Sequence, residues 1–334
     1  MSHFPVTDST LSALHLAIFM QDKYGFNDRV TCKIFRTGIN HTYMVVNNEI
    51  KYVLRIYCIN WRSKLEISEE IRLLNLLKDN QISVSYPIPD KNENYIQTLE
   101  APEGTRYAVL FSFAEGRKIR NLTHKTCFSI GMLMARMHKV TINQKIERIN
   151  YDINTLTEVP YANATSLFSE SMEEMQFLKK SCTHLKTLFS EVPGNMRNGI
   201  VHLDLWYDNM NIVDDSSITL FDFDFCGNGW LMLDITYFIM QLFNTEPDRG
   251  LYKTKLQSFM NGYQSITPIP DEEKRLLPIA GIAIWIFYLG VQSSRFDNWS
   301  NIFLSENYLK HYVGIIKNWM NFYDIEINKG GPIK

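Results

Sequence analysis

V-H-L-D-L-W-Y-D-N-M-N-I-V-D-D-S-S-I-T-L-F-D-F-D-F, residues 201–225, is the stretch from which the fold can be read. Asp204 is followed five residues later by Asn209 and eighteen residues later by Asp222. Between the last two, residues 210–213 form a short apolar strand. Asp-Asp-Ser-Ser at 214–217 is turn chemistry, and residues 218–223 alternate as a second strand. The pattern predicts a hairpin whose ends bring Asn209 and Asp222 together. Both side chains offer the hard oxygen ligands that Mg²⁺ prefers. Three polar side chains at these spacings suit metal-assisted phosphoryl transfer.

Upstream, residues 8–24 begin with a Ser/Thr/Asp cluster able to cap a helix, and Leu11, Leu14, Ile18 and Phe19 fall on one face. Strands are predicted over 30–35, 42–47 and 51–57. The first turn is a polar break at 36–41 built on Gly38 and Asn40, and Asn47-Asn48 makes the second. Residues 63–80 read as a helix that opens with the capping box Ser63-x-x-Glu66. Ile67, Ile71, Leu74 and Leu77 make its buried stripe, with Glu70 at the stripe's edge. Pro87 and Pro89 end this segment. Strands follow near 95–99 and 107–113, the second almost wholly apolar as a central strand would be.

After Ala114-Glu115-Gly116-Arg117 the pattern becomes mainly helical. Helices are expected over 129–138, 164–190 (one helix or a pair), 233–244, 250–263, 271–291 and 304–323, with a Gly/Pro-rich frayed tail at 328–334. The fold class is therefore α+β: a small antiparallel β-sheet lobe over residues 1–113 and a larger helical lobe over 114–334.

Net charge is −2 across 334 residues, which gives no support for nucleic-acid binding. Five cysteines, an odd number with no C-x-x-C pair, argue against a disulfide scaffold or zinc site and fit a reducing, cytoplasmic setting. The start, MSHFPVTDST, lacks the pattern of a signal peptide. The longest apolar run, 278–290, falls short of the ~20 residues that span a bilayer, so it reads as a buried helix with no membrane partner.

His202-x-Asp204-x-x-x-x-Asn209 followed by Asp222-x-Asp224, with strands, a glutamate-bearing helix and a central strand upstream, resembles the aminoglycoside phosphotransferase and choline kinase-like superfamily. That superfamily has a two-lobed protein-kinase-like fold. Within it the chain is most similar to the homoserine kinase type II and stress-response kinase group, and Asp204-Leu205-Trp206 also resembles fructosamine kinases. The resemblance implies ATP and Mg²⁺ as cofactors. It makes Asp204 the catalytic base that orients an acceptor hydroxyl, and Asn209 and Asp222 the metal ligands. It places Arg55 on the third strand where protein kinases carry a phosphate-binding lysine, with Glu70 as its partner and Glu66 and Glu69 as alternatives. It sets Gly38 over the phosphates and Ser112-Phe113-Ala114 as the hinge whose backbone reads adenine. His202 becomes a structural support, with acid–base chemistry as the alternative. Asp224 is either a neighbour of the metal ligands or a substrate contact. Asp234 is either a brace for the catalytic loop or a plain helix cap.

The expected activity is transfer of the γ-phosphate of ATP to an alcohol group of a small molecule: an amino acid, sugar, amino alcohol or aminoglycoside. Residues 281–311, with Trp285, Tyr288, Arg295, Asp297, Trp299 and Tyr308, are expected to select it. Two rivals are a Ser/Thr protein kinase of the stress-response type and a catalytically dead nucleotide-binding scaffold.

Overall fold

In the computed structural model, residues 4–191, 196–294 and 303–327 are described. The chain divides into two compact units, Met1–Lys118 with Met210–Asp222, and Ile119–Asn209 with Phe223–Lys334. This departs from the division at 113/114 in two respects. The segment 114–118 and the hairpin both join the N-terminal unit, because their backbone bonds go there. Arg117 and Ile212 exchange hydrogen bonds at 3.1 and 2.9 Å, and the Ser85 N–H donates to the Leu220 carbonyl.

The first unit is built on an antiparallel sheet. Strands β1 (Thr31–Arg36), β2 (Asn40–Asn47) and β3 (Ile50–Tyr57) form the meander read from the sequence. Strands β4 (Pro87–Ile88), β5 (Ile96–Ala101) and β6 (Gly104–Ser112) complete it in the order β1-β2-β3-β6-β4, with β5 on β6. The prolines at 87 and 89 therefore do not simply end a segment, since Pro87 sits in a two-residue edge strand where a missing N–H is tolerated. Helix α1 (Ala13–Tyr24) is capped by Ser12 and ended by Gly25 at φ 68°. It buries Leu16, Ala17 and Met20 rather than Leu14 and Ile18, which are exposed. Both faces of L-H-L-A-I-F-M carry apolar residues, so periodicity alone does not choose between them. Helix α2 (Lys64–Asp79) has the full capping box and buries Glu70 along with its apolar stripe.

The second unit is helical: α3 (His124–Thr141), α4 (Val159–Thr165), α5 (Glu173–Ser190), α6 (Met232–Thr245), α7 (Arg249–Gln264), α8 (Asp271–Ser293) and α9 (Glu306–Phe322). The stretch 164–190, expected as one helix or a pair, holds the end of α4 and then α5 from Glu173, and α4 itself follows a π-helical turn at Asn154–Glu158. Helices α3 and α7 press together through glycines. A Cβ on Gly131 would stand 2.1 Å from the Phe259 carbonyl oxygen, and one on Gly262 2.0 Å from that of Phe128. Helix α8 contains the apolar run and is longer than it, reaching 23 residues. By length and composition it could cross a membrane, but 78% of its most apolar window is buried inside the protein. Strands β7 (Asn150–Tyr151), β8 (Asn198–Val201) and β11 (Gly227–Trp230) form a small sheet in the order β7-β11-β8. The hairpin, β9 (Met210–Ile212) with β10 (Ile218–Leu220), pairs Met210 with Leu220.

Candidate active site

In the helical unit, β8 delivers the chain into the loop that starts at His202. Leu203 adopts φ 60°, the left-handed region in which a leucine is strained by roughly 1–3 kcal/mol. The strain is offset because hydrogen bonds hold the whole turn. The N–H groups of His202 and Leu203 both donate to the Asp234 carboxylate, at 3.0 and 2.6 Å. The Asp204 N–H donates to His202 Nδ1 at 3.2 Å. The Leu203 carbonyl accepts from the Tyr288 hydroxyl at 2.7 Å. The Asp204 carbonyl accepts from the Asn209 amide at 3.0 Å.

These bonds bear on two alternatives. Asp234 lies inside α6, fully buried, and braces the loop rather than capping its own helix. A carboxylate so buried needs several donors, and His138 Nε2 at 3.1 Å supplies another. His202 is 1% exposed, receives a backbone N–H on Nδ1 and packs on the Phe223 ring. Its ring thus supports the turn, and accepting through Nδ1 places its own ring proton on Nε2. Asp224 is also buried, and its carbonyl accepts from Arg148.

The Asp204 side chain is half-buried and accepts hydrogen bonds on both carboxylate oxygens. The Tyr237 hydroxyl donates to Oδ1 at 2.5 Å and Asn209 Nδ2 to Oδ2 at 2.6 Å. Burial, with the Asp204 charge beside it, pushes ionisation of the Tyr237 hydroxyl well above the ordinary phenol range, so it stays a donor. The sequence reading missed Tyr237. The signal was its place three residues after Asp234, on the same helix face.

In the sheet unit, Arg55 on β3 donates to Glu70 Oε1 at 3.0 Å and to Asp222 Oδ1 at 2.9 Å. Glu70 is 1% exposed and also accepts from the Tyr57 hydroxyl. Glu66 is instead engaged in the capping box and Glu69 with Arg72, so Glu70 is the residue that meets Arg55. Asp222 lies two residues beyond β10 at φ 64°. Gly38 has no neighbour within 4 Å of an added Cβ, so the first turn is open. The Ser112 N–H and carbonyl are already bonded to residues 86 and 85. The Ala114 carbonyl accepts from Asn211 at 2.6 Å, while its N–H makes no hydrogen bond among the described residues.

Each unit holds one oxygen of the type that suits a hard cation. Asn209 commits its amide nitrogen to Asp204, and Asp222 commits Oδ1 to Arg55. Among the described residues, Asn209 Oδ1 and Asp222 Oδ2 accept no hydrogen bond. Neutral amide and carboxylate oxygens fit Mg²⁺ and not a thiophilic metal.

A model of the phosphotransferase enzyme family matches residues 31–269. The chain belongs to that family. It is an enzyme of the kinase class. A homoserine kinase of Bradyrhizobium diazoefficiens is 23% identical over 87% of this chain and 86% of its own length. A microcompartment-associated aminopropanol kinase superposes with a TM-score of 0.77 at 20% identity, covering 94% of this chain and 100% of that one. An amicoumacin kinase, solved in complex with AMP-PNP, Ca²⁺ and Ami, gives 0.76 at 18% identity over 93% of this chain and 94% of that one. These likenesses show the kinase-like fold.

Among the residues expected to select the acceptor, Trp285 is buried and packs edge-on against Tyr312, and Tyr288 holds the catalytic loop. Tyr308 donates to Gln292. Arg295, Asp297 and Trp299 lie outside the described residues, as does the tail at 328–334.

Proposed function

We propose that the protein transfers the γ-phosphoryl group of ATP, with Mg²⁺, to a hydroxyl group of a small molecule. The observation that carries this reading is the Asp204 carboxylate, pinned on both oxygens at the head of a braced loop. In-line phosphoryl transfer depends on positioning and charge neutralisation. Asp204 orients the acceptor hydroxyl and takes its proton as the oxygen attacks the γ-phosphorus and the bond to the β-phosphate oxygen breaks. Arg55, held by Glu70, grips the nucleotide phosphates with its planar fork. The Ala114 N–H reads the adenine edge. Asn209 and Asp222 hold the metal, which when bound draws charge from the phosphate oxygens.

A small acceptor is favoured over a protein. Between Asp222 and α6 the chain is taken up by a helical turn at Phe223–Phe225 and by β11, leaving little length for a peptide-docking loop. Relatives named for homoserine and aminopropanol make amino alcohols and hydroxy amino acids the first classes to try. All five cysteines are free, in keeping with a cytoplasmic enzyme. The test is ADP release from Mg·ATP with homoserine, 1-amino-2-propanol, ethanolamine, choline, simple sugars and an aminoglycoside. Saturable, alcohol-dependent ADP release by one class supports the reading. ADP release with casein and none with any alcohol would overturn it.

A further inference from the structure

Helix α6 carries two residues that bear on the same loop. Asp234 takes the backbone N–H groups of His202 and Leu203, and Tyr237, three residues on, donates to Asp204 Oδ1. Residues three apart stand on one helix face. One rigid element thus holds both the backbone and the carboxylate of the catalytic turn.

A carboxylate with a single donor still swings about its Cβ–Cγ bond. With Asn209 on Oδ2 and Tyr237 on Oδ1, its plane is fixed. Tyr237 can act this way because it is itself immobilised. It is 3% exposed, and its ring lies 5.4 Å from that of Tyr288. The Tyr288 hydroxyl in turn holds the Leu203 carbonyl.

We infer that Tyr237 is a positioning residue for phosphoryl transfer, acting through Asp204 by fixing the plane of its carboxylate toward the acceptor hydroxyl. The inference rests on the reading of Asp204 as the group that orients that hydroxyl, and it adds a residue which the motif spacing does not reveal. A carboxylate plane set within a few tens of degrees affects the rate of the step more than binding, because binding contacts lie elsewhere on both substrates. Tyr237 should therefore weigh on kcat and not on KM.

A double-mutant cycle tests this, with Mg·ATP and the panel alcohol turned over fastest. Rates are normalised to the fraction of protein that binds Mg·ADP, so partial misfolding does not enter. Y237F should lower kcat roughly 10- to 100-fold, the loss expected for a hydrogen bond to a charged group. KM for ATP and for the alcohol should stay within about two-fold. In the D204A background, the same change should have no further effect on the residual rate, because its target is gone. Three results overturn the inference: Y237F with unaltered kcat, a fall carried by KM, or the same fold-loss in both backgrounds, which marks a merely structural residue. Full turnover by D204A alone would instead remove the reading of Asp204 itself, and the inference with it.

Discussion

At the scale of single residues, the phosphate grip proposed here rests on Arg55, which donates to carboxylates from distant parts of the sequence: Glu70 on α2 and Asp222 after the hairpin. Truncating Glu70 removes the buried carboxylate of that arrangement from beside a largely buried guanidinium. Glu70→Ala should cost about 3 kcal/mol of stability, the lower end for breaking a buried pair because Asp222 remains. It should also raise KM for ATP; urea unfolding and steady-state kinetics read the two effects separately. Asp204, Asn209 and Asp222 could be singled out from the sequence because the roles proposed for them depend on spacing along one short stretch. The choice of Glu70 over Glu66 and Glu69 was not, since all three lie within one helical turn and only the tertiary partners distinguish them. Tyr237 was illegible for the same reason, and so was the loop contact of Tyr288, a residue expected from the sequence to help select the acceptor. A tyrosine in an apolar helix reads as core, and the hydrogen bond that gives it a task is made across more than thirty residues of sequence.

At the scale of elements, the hairpin turn is held by one side chain. Asp214 accepts hydrogen bonds from the Ser216 hydroxyl and from the Ser216 and Ser217 N–H groups, and these depress its ionisation to about 2. A carboxyl whose folded value lies below its unfolded value of about 3.9 favours the native state most above that unfolded value. The contribution is lost as pH falls through about 2. Asp214→Ala should therefore flatten the dependence of stability on pH between about 4 and 2 and leave the slope above about 5 unaltered. Urea midpoints across that range check it. Long elements with strong periodicity, α2 and α6 to α9, were legible to within a few residues. The strands β7, β8 and β11 were not. They are two to four residues long, β11 holds two glycines, and β7 pairs with β11 from 78 positions away. Such strands owe their existence to partners and not to their own propensity.

At the scale of the whole molecule, the chain leaves the helical unit at Asn209, makes the hairpin in the sheet unit and returns at Phe223. The two oxygens proposed for the metal, on Asn209 and Asp222, sit at those crossing points in sequence. A boundary drawn from composition missed this excursion, because 210–222 is too short to alter the average character of a helical half. The fold class was legible from the change of period after residue 113, from strand alternation to helical stripes. The acceptor was not, because the residues that surround a small molecule need follow no fixed spacing. The account stands on Asp204, and its most direct test is the rate of ADP formation by D204A under saturating Mg·ATP and acceptor. Transfer should fall about 10²- to 10⁴-fold, the contribution of a positioned general base, with Mg·ADP affinity unaltered. Turnover within a few-fold of the parent protein would contradict it.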